Sequence, residues 1–206
     1  MARRKDHSRE ELCDLILTKA QELIEAEGFR AVTVRRIADA VGYSPGTLYN
    51  HFKNLDDLII RLNSRTLVLL DQVLERACLT GEPEKDTLAL AFAYFSFVED
   101  HPRLWELLFE YRLGDDTKLP DWFTQKIARI LSRLSHVLAP LFAPSESQRL
   151  DEAVLVLWAS LHGIGALGIS GKLAVVTERT MPELTRSLVT HYVRGLKTRR
   201  QGGPRL

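Results

Sequence analysis

Between residues 33 and 53 the chain reads TVRRIADAVGYSPGTLYNHFK, and side chains able to do chemistry gather there. Thr47, Tyr49, Asn50 and His51 bring hydroxyl, amide and imidazole groups into one short run, and no acid lies between Pro45 and Phe52. Arg30, Arg35, Arg36 and Lys53 surround that run with cations, against the single acid Asp39. Cations neutralise phosphates, while uncharged donors and acceptors reach phosphate oxygens or base edges, so the natural partner of such a surface is a polyanion. Catalytic chemistry has no comparable cluster. No nucleophile, base and acid can be assembled. His7, His51, His101, His136, His162 and His191 never fall three or four apart, and Cys13 and Cys78 stand alone. Neither a helical metal pair nor a disulfide framework is expected, and the sequence implies no metal, no cofactor and no enzyme activity.

Two short helices have to hold these groups. Val34, Ile37, Ala38 and Val41 recur at helical spacing and face one side. Thr33 precedes them as a cap, and Gly42 follows them, where a left-handed residue ends many helices. Ser44 caps the second helix, Pro45 occupies its first position, and the helix is expected to run to Phe52. Leu48 and Phe52, four apart, anchor it. The layout is a helix-turn-helix.

The stretch TVRRIADAVGYSPGTLYNHF resembles the DNA-binding signature of the tetracycline-repressor (TetR) family of transcriptional regulators. The matching elements are Thr33, Ile37-Ala38, Gly42, Ser44, Gly46-Thr47-Leu48-Tyr49 and His51-Phe52. The resemblance implies that the second helix enters the major groove, with Thr33, Ser44, Thr47 and Tyr49 on the phosphates and Pro45, Gly46 and Asn50 nearest the bases. Arg35, Arg36, His51 and Lys53 complete the expected DNA-binding set. The chain departs from the family at Leu55, where a lysine is usual, and Lys53 is expected to supply that phosphate contact.

Composition fits an ordinary globular protein: 206 residues, 45% hydrophobic, 27% charged, with a net charge of +1 that makes any nucleic-acid footprint local. No apolar run approaches membrane-spanning length and the N-terminus is unlike a signal peptide, so a cytoplasmic protein without a membrane partner is expected. Arg3, Arg4 and Lys5 form a basic tail able to reach phosphates. Ser8 with Glu11 opens the first helix as a capping box and Gly28 closes it, so residues 1–53 read as a DNA-binding domain. Asn54 caps a long helix reaching about Cys78, a candidate lever at the head of a second domain, residues 54–206.

In that domain Thr87 to Val98 is apolar nearly all round, which reads as a buried central helix. Helices are expected over Pro102–Leu113 and Trp122–Leu141. Another is capped by Ser145 with Gln148 and runs to about Ser170, and the last opens at Thr180 with Glu183 and gives way to a tail from Thr198. The fold class is all-α, with about nine helices. Residues 172–177 have the composition of a short strand but no partner. Gly163, Gly165 and Gly168 match GxGxxG literally, yet no strand precedes them and no βαβ unit surrounds them, so they read as a close-packing surface.

Trp158, His162 and Gly163 resemble the W-H-G motif of one group of TetR-like ligand domains. The family resemblance implies a homodimer built on about 147–170 and 181–198, with Leu161, Gly165, Gly168, Leu188 and Tyr192 as interface candidates. It also implies an effector bound among the middle helices. Phe92, Phe95, Ser96, Trp105, Phe109, Tyr111, Trp122, Phe123, Trp158 and His162 are the candidate ligand residues, suiting a small, largely apolar molecule oriented by one or two hydrogen bonds, with His162 the favoured donor. The expected protein is a repressor released from a pseudo-palindromic operator by that effector. The alternatives are a ligand-independent DNA-binding protein of the same fold, or a helical enzyme with an accessory DNA-binding head, for which no catalytic set is found.

Overall fold

Capping side chains read from the sequence start five of the ten helices among the described residues: Ser8, Thr33, Ser44, Asn54 and Thr180. The computed structural model describes residues 7–201; the basic tail at Arg3, Arg4 and Lys5 and the chain after residue 201 lie outside the described residues. Within them the helices are α1 (Arg9–Glu27), α2 (Val34–Val41), α3 (Pro45–Tyr49), α4 (Leu55–Glu75), α5 (Pro83–Asp100), α6 (Pro102–Glu110), α7 (Asp121–Leu138), α8 (Ser147–Ile169), α9 (Leu173–Val176) and α10 (Met181–Gln201). No strand occurs among the described residues. Ser8 Oγ accepts from the Glu11 N–H and Glu11 accepts from the Ser8 N–H, which satisfies two free donors of the first turn at once. Thr180 and Glu183 repeat the arrangement, and Asn54 Oδ1 accepts from the Asp57 N–H at 2.9 Å.

Some expectations fail for local reasons. Ser145 caps nothing: it lies in a 3₁₀ turn over Pro144–Glu146, and α8 opens behind it without a side-chain cap. Residues 172–177 form no strand, in keeping with the lack of a partner; their backbone groups close locally in a helical turn, Val175 N–H on Lys172 O and Thr177 N–H on Leu173 O. α3 stops at Tyr49, where the N–H groups of Asn50 and His51 bond three residues back and tighten the last turn. α10 continues as helix to Gln201, beyond the tail expected from Thr198. Pro144–Ile169 reaches a mean hydropathy of 1.6 over 18 residues, long and apolar enough to cross a membrane by length and composition, contrary to the reading from uninterrupted runs. Only 28% of that window is buried, so much of the helix's apolar surface is open.

One compact unit comprises the chain as far as Val68 together with His101–Thr124, more than the segment 1–53. Its core takes Leu12, Ile16, Ala20 and Ile24 from α1, Ile37 and Ala38 from α2 and Leu48 from α3. Leu58, Ile59 and Leu62 of α4 and Leu104 and Leu107 of α6 complete it. Arg103 of α6 donates to the Glu25 carbonyl at 2.8 Å, fastening α6 to the end of α1. Removing one of these buried leucines should cost about 2–5 kcal/mol.

The second unit is Leu69–Asp100 with the chain from Gln125 onward. In it α5 packs on both α10 and α8. Leu157, Val189, Val193, Phe97 and Val98 are fully buried. Glu84 accepts from the Thr190 hydroxyl at 2.9 Å, and the Tyr192 hydroxyl donates to the Ala153 carbonyl at 3.0 Å. Asp71 bridges Arg133 at 2.6 Å and Arg129 at 2.8 Å; the Arg133 guanidinium above all holds its carboxyl below the usual carboxylate range.

Candidate nucleic-acid interface

The first unit presents α3 outward. Thr33 accepts from the Arg36 N–H and starts α2; Gly42 ends it at φ +76°, a left-handed conformation open to glycine and strained for most side chains. Ser44 then accepts from the Thr47 N–H, and its hydroxyl lies 3.0 Å from that of Thr47. Leu48 and Phe52, 1% and 3% exposed, fix the helix on the core. The opposite face is left to solvent: Tyr49 is 56% exposed, and Ser44, Pro45, Gly46, Asn50, Lys53 and Arg35 are exposed with it. The helix-turn-helix thus leaves Arg35, Ser44, Tyr49, Asn50 and Lys53 exposed, with Thr47 half-buried beside them and no acid on α3.

Arg36, expected among the DNA contacts, is used internally. Its guanidinium donates to Glu27 at 2.5 Å and to the Ala31 carbonyl at 2.9 Å, tying α2 to the end of α1. The hydrogen bond from Arg36 holds the Glu27 carboxyl below its ordinary range. His51 is half-buried, and its Nδ1 lies 3.3 Å from Cys13 Sγ on α1, a partner separated by 38 residues that no local pattern indicates.

The candidate ligand residues are divided between the units. Trp105, Phe109, Tyr111, Trp122 and Phe123 belong to the first unit, and Phe92, Phe95, Ser96, Trp158 and His162 to the second. Trp105 and Phe123 are core residues, 3% and 4% exposed, whereas Trp122 is 41% exposed. The Tyr111 hydroxyl is already taken: it donates to Asp56 at 2.7 Å. Ser96 is exposed and turns to Asp100 of its own helix. In the second unit Trp158 stacks on His162 at 5.7 Å, as the W-H-G spacing suggests, and the Tyr94 hydroxyl lies 3.2 Å from His162 Nδ1. Tyr94 was not singled out by the sequence, where it looks like one more aromatic of an apolar helix.

The dimer candidates on α8 face inward. Leu161 is 6% exposed; a Cβ on Gly165 would lie 3.2 Å from Phe95, and one on Gly168 would strike Met181. These glycines do allow close approach, but of the chain's own α5 and α10 region. Tyr192 is likewise bonded within the chain and Leu188 is half-buried. Leu155, Ala159, Gly163 and Leu167, each four residues apart, form the open ridge of α8 instead, with Leu155 51% and Val156 46% exposed. Helical phase separates the two faces.

A capped pair of short helices set on a helical core, with an acid-free second helix turned to solvent, is a DNA-binding helix-turn-helix of the kind that regulates transcription. Residues 16–62 match the family described as bacterial regulatory proteins, tetR family, and residues 87–192 match the tetracyclin repressor-like C-terminal domain. The chain belongs to the TetR family of transcriptional regulators, a family of regulators and not of enzymes. It is 27% identical over 176 residues to the uncharacterized HTH-type transcriptional regulator Rv0681 of Mycobacterium tuberculosis, covering 83% of this chain and 74% of that one. Its fold is similar to that of a Rhodococcus sp. RHA1 protein of unknown function (TM-score 0.72, 21% identity, 95% of this chain and all of that one). It is also similar to that of BioQ, solved with its natural double-stranded DNA operator (TM-score 0.62, 17% identity, 91% and 98%).

Proposed function

We propose that this regulator binds a pseudo-palindromic operator in the cytoplasm as a homodimer and represses transcription until a small, largely apolar effector releases it. The observation that carries the reading is the outward face of α3, with Tyr49 56% exposed and no acid among its neighbours on that helix. Arg35, Lys53, Thr33, Ser44, Thr47, Tyr49 and His51 act on phosphates, and Pro45, Gly46 and Asn50 lie nearest the bases. Arg36 is left out of that set because Glu27 and Ala31 occupy it. One recognition helix reads few base pairs, so a second head on a two-fold axis supplies selectivity.

The open ridge of α8 supports a pairing surface: an apolar helix face of this length is buried in most proteins, and a second copy of the same face would cover it. The effector is oriented by the Tyr94–His162 pair beside Trp158, since Tyr111 and Ser96 are engaged elsewhere. The apolar surroundings of α5 and α8 favour an uncharged molecule.

Selection of bound duplexes from a random pool, followed by fluorescence anisotropy against salt, tests the DNA reading. The expected result is an inverted-repeat site with affinity falling steeply as salt rises. A flat salt response, or no enriched site, overturns it.

A further inference from the structure

We propose that Cys13 is a positioning residue for DNA binding, its thiol holding the His51 imidazole so that the ring's Nε2–H is presented to a phosphate. The inference rests on the DNA reading above and adds a residue from α1, outside the helix-turn-helix. Cys13 Sγ lies 3.3 Å from His51 Nδ1 in a part-buried contact. The backbone of His51 is fixed from both sides: its N–H bonds to Leu48 O at 2.9 Å, and the next residue, Phe52, is 3% exposed in the core. What remains free is the ring's own rotation and the place of its proton. A thiol donating to Nδ1 settles both, because Nδ1 must then offer its lone pair and the proton must sit on Nε2. Nε2 has no partner among the described residues. It sits on the residue that follows Asn50, at the exit of the recognition helix, where an exposed Tyr49 and Lys53 flank it in sequence.

A methyl group at position 13 would leave Nδ1 part-buried with no donor, and the ring would turn or move its proton to suit water. A phosphate contact needs an N–H already aimed at it, so freedom at the ring is lost affinity. Serine at position 13 keeps a donor.

The test uses the full chain and a labelled mixed-sequence duplex of about 30 base pairs, since a phosphate contact does not depend on sequence. Nitrogen-15 spectra of the imidazoles are recorded without DNA. The wild type should show His51 in the Nε2–H form with Nδ1 hydrogen-bonded; Cys13→Ala should lose that signature and Cys13→Ser recover it. Cys13→Ala should weaken duplex binding about threefold, in the range of one neutral hydrogen bond. Cys13→Ser should stay close to wild type. In a His51→Ala background, Cys13→Ala should cause no further loss. An unchanged His51 spectrum in Cys13→Ala, or an equal loss in both backgrounds, overturns the proposal. If His51→Ala binds as tightly as wild type while salt-dependent binding persists, the proposal fails and the DNA reading stands. If the wild type binds no duplex, both fail.

Discussion

The Tyr111 hydroxyl donates to Asp56 Oδ1 at 2.7 Å, joining the residue that ends α6 to the first turn of α4. The other carboxylate oxygen accepts from the Gly114 N–H at 3.0 Å and the Thr117 hydroxyl at 2.9 Å. One carboxylate thus gathers three donors from the segment after α6, at a helix N-terminus that itself favours negative charge. Tyr111→Phe removes one donor and should lower stability by about 1 kcal/mol in chemical denaturation. Asp56→Ala leaves three donors without their acceptor and should cost clearly more. Equal effects of the two variants would show that the cluster does not act as a unit.

The same cluster sets a pH dependence. The Gly114 N–H first, then the Tyr111 and Thr117 hydroxyls, hold Asp56 below its ordinary value against the opposing effect of burial. A depressed carboxylate contributes stability that is complete above its unfolded pKa, about 4, and is lost as pH falls through the folded value. Tyr111 is pushed up to about 12 by burial and by the Asp56 carboxylate, so its contribution is complete below about 10 and is lost as pH rises through about 12. Urea midpoints should therefore fall on both sides of a neutral plateau, and Asp56→Asn should flatten the acid limb. An acid limb as steep in that variant as in the wild type would remove Asp56 from the account.

Arg35 and Arg36 are neighbours with opposite expected phenotypes. Arg35→Ala should weaken all duplexes alike and reduce the salt slope of binding by about one, as loss of one phosphate contact does. Arg36→Ala should leave that slope unchanged and loosen the junction of α1 and α2, seen as a lower melting temperature. Interchanged phenotypes would mean that the Glu27 pairing gives way to DNA.

A Cβ on Gly165 would lie 3.2 Å from the Phe95 ring, which would have to give by a few tenths of an ångström even for one methyl group. Gly165→Leu should destabilise the chain by about 1–3 kcal/mol by overpacking. A variant that keeps full thermal stability but loses self-association would move this glycine back to an interface between copies.

Val156→Asp places a charge on the open face of α8, where little is packed within the chain. Sedimentation should show a dimer for the wild type and a shift toward monomer for the variant, with the melting profile of the separated chains little changed. A variant dimer of undiminished affinity would send the search for the pairing surface elsewhere.

Local signals were legible in the sequence and long-range ones were not. Ser8, Thr33, Ser44, Asn54 and Thr180 each act within three residues, so their caps could be read directly. The match of Thr33 to Phe52 gave the helix-turn-helix for the same reason. Asp56 could be read only as a helix-start acid, because its three donors lie 55 to 61 residues away. Arg36 looked like a DNA contact because Glu27 is brought to it by the turn at Gly28. The inward glycines of α8 were recognised as close-packing, but a one-dimensional pattern does not say which helix approaches, and the chain's own Phe95 and Met181 do.

Those glycines have a further consequence for the motions of α8. Gly163, Gly165 and Gly168 fall within six consecutive positions of one helix, each disfavouring helix by about 1 kcal/mol relative to alanine. The last two turns are thus weak helix formers by themselves and gain support from Phe95 and Met181 packed beside them. Their amides should open and exchange with solvent sooner than those around Leu157, which is fully buried earlier in the same helix. His162 would then stand at the boundary between the slower half and the faster one. A molecule lodged beside it, or a second copy laid along the ridge, would be registered first as slower exchange from Ile164 to Ser170.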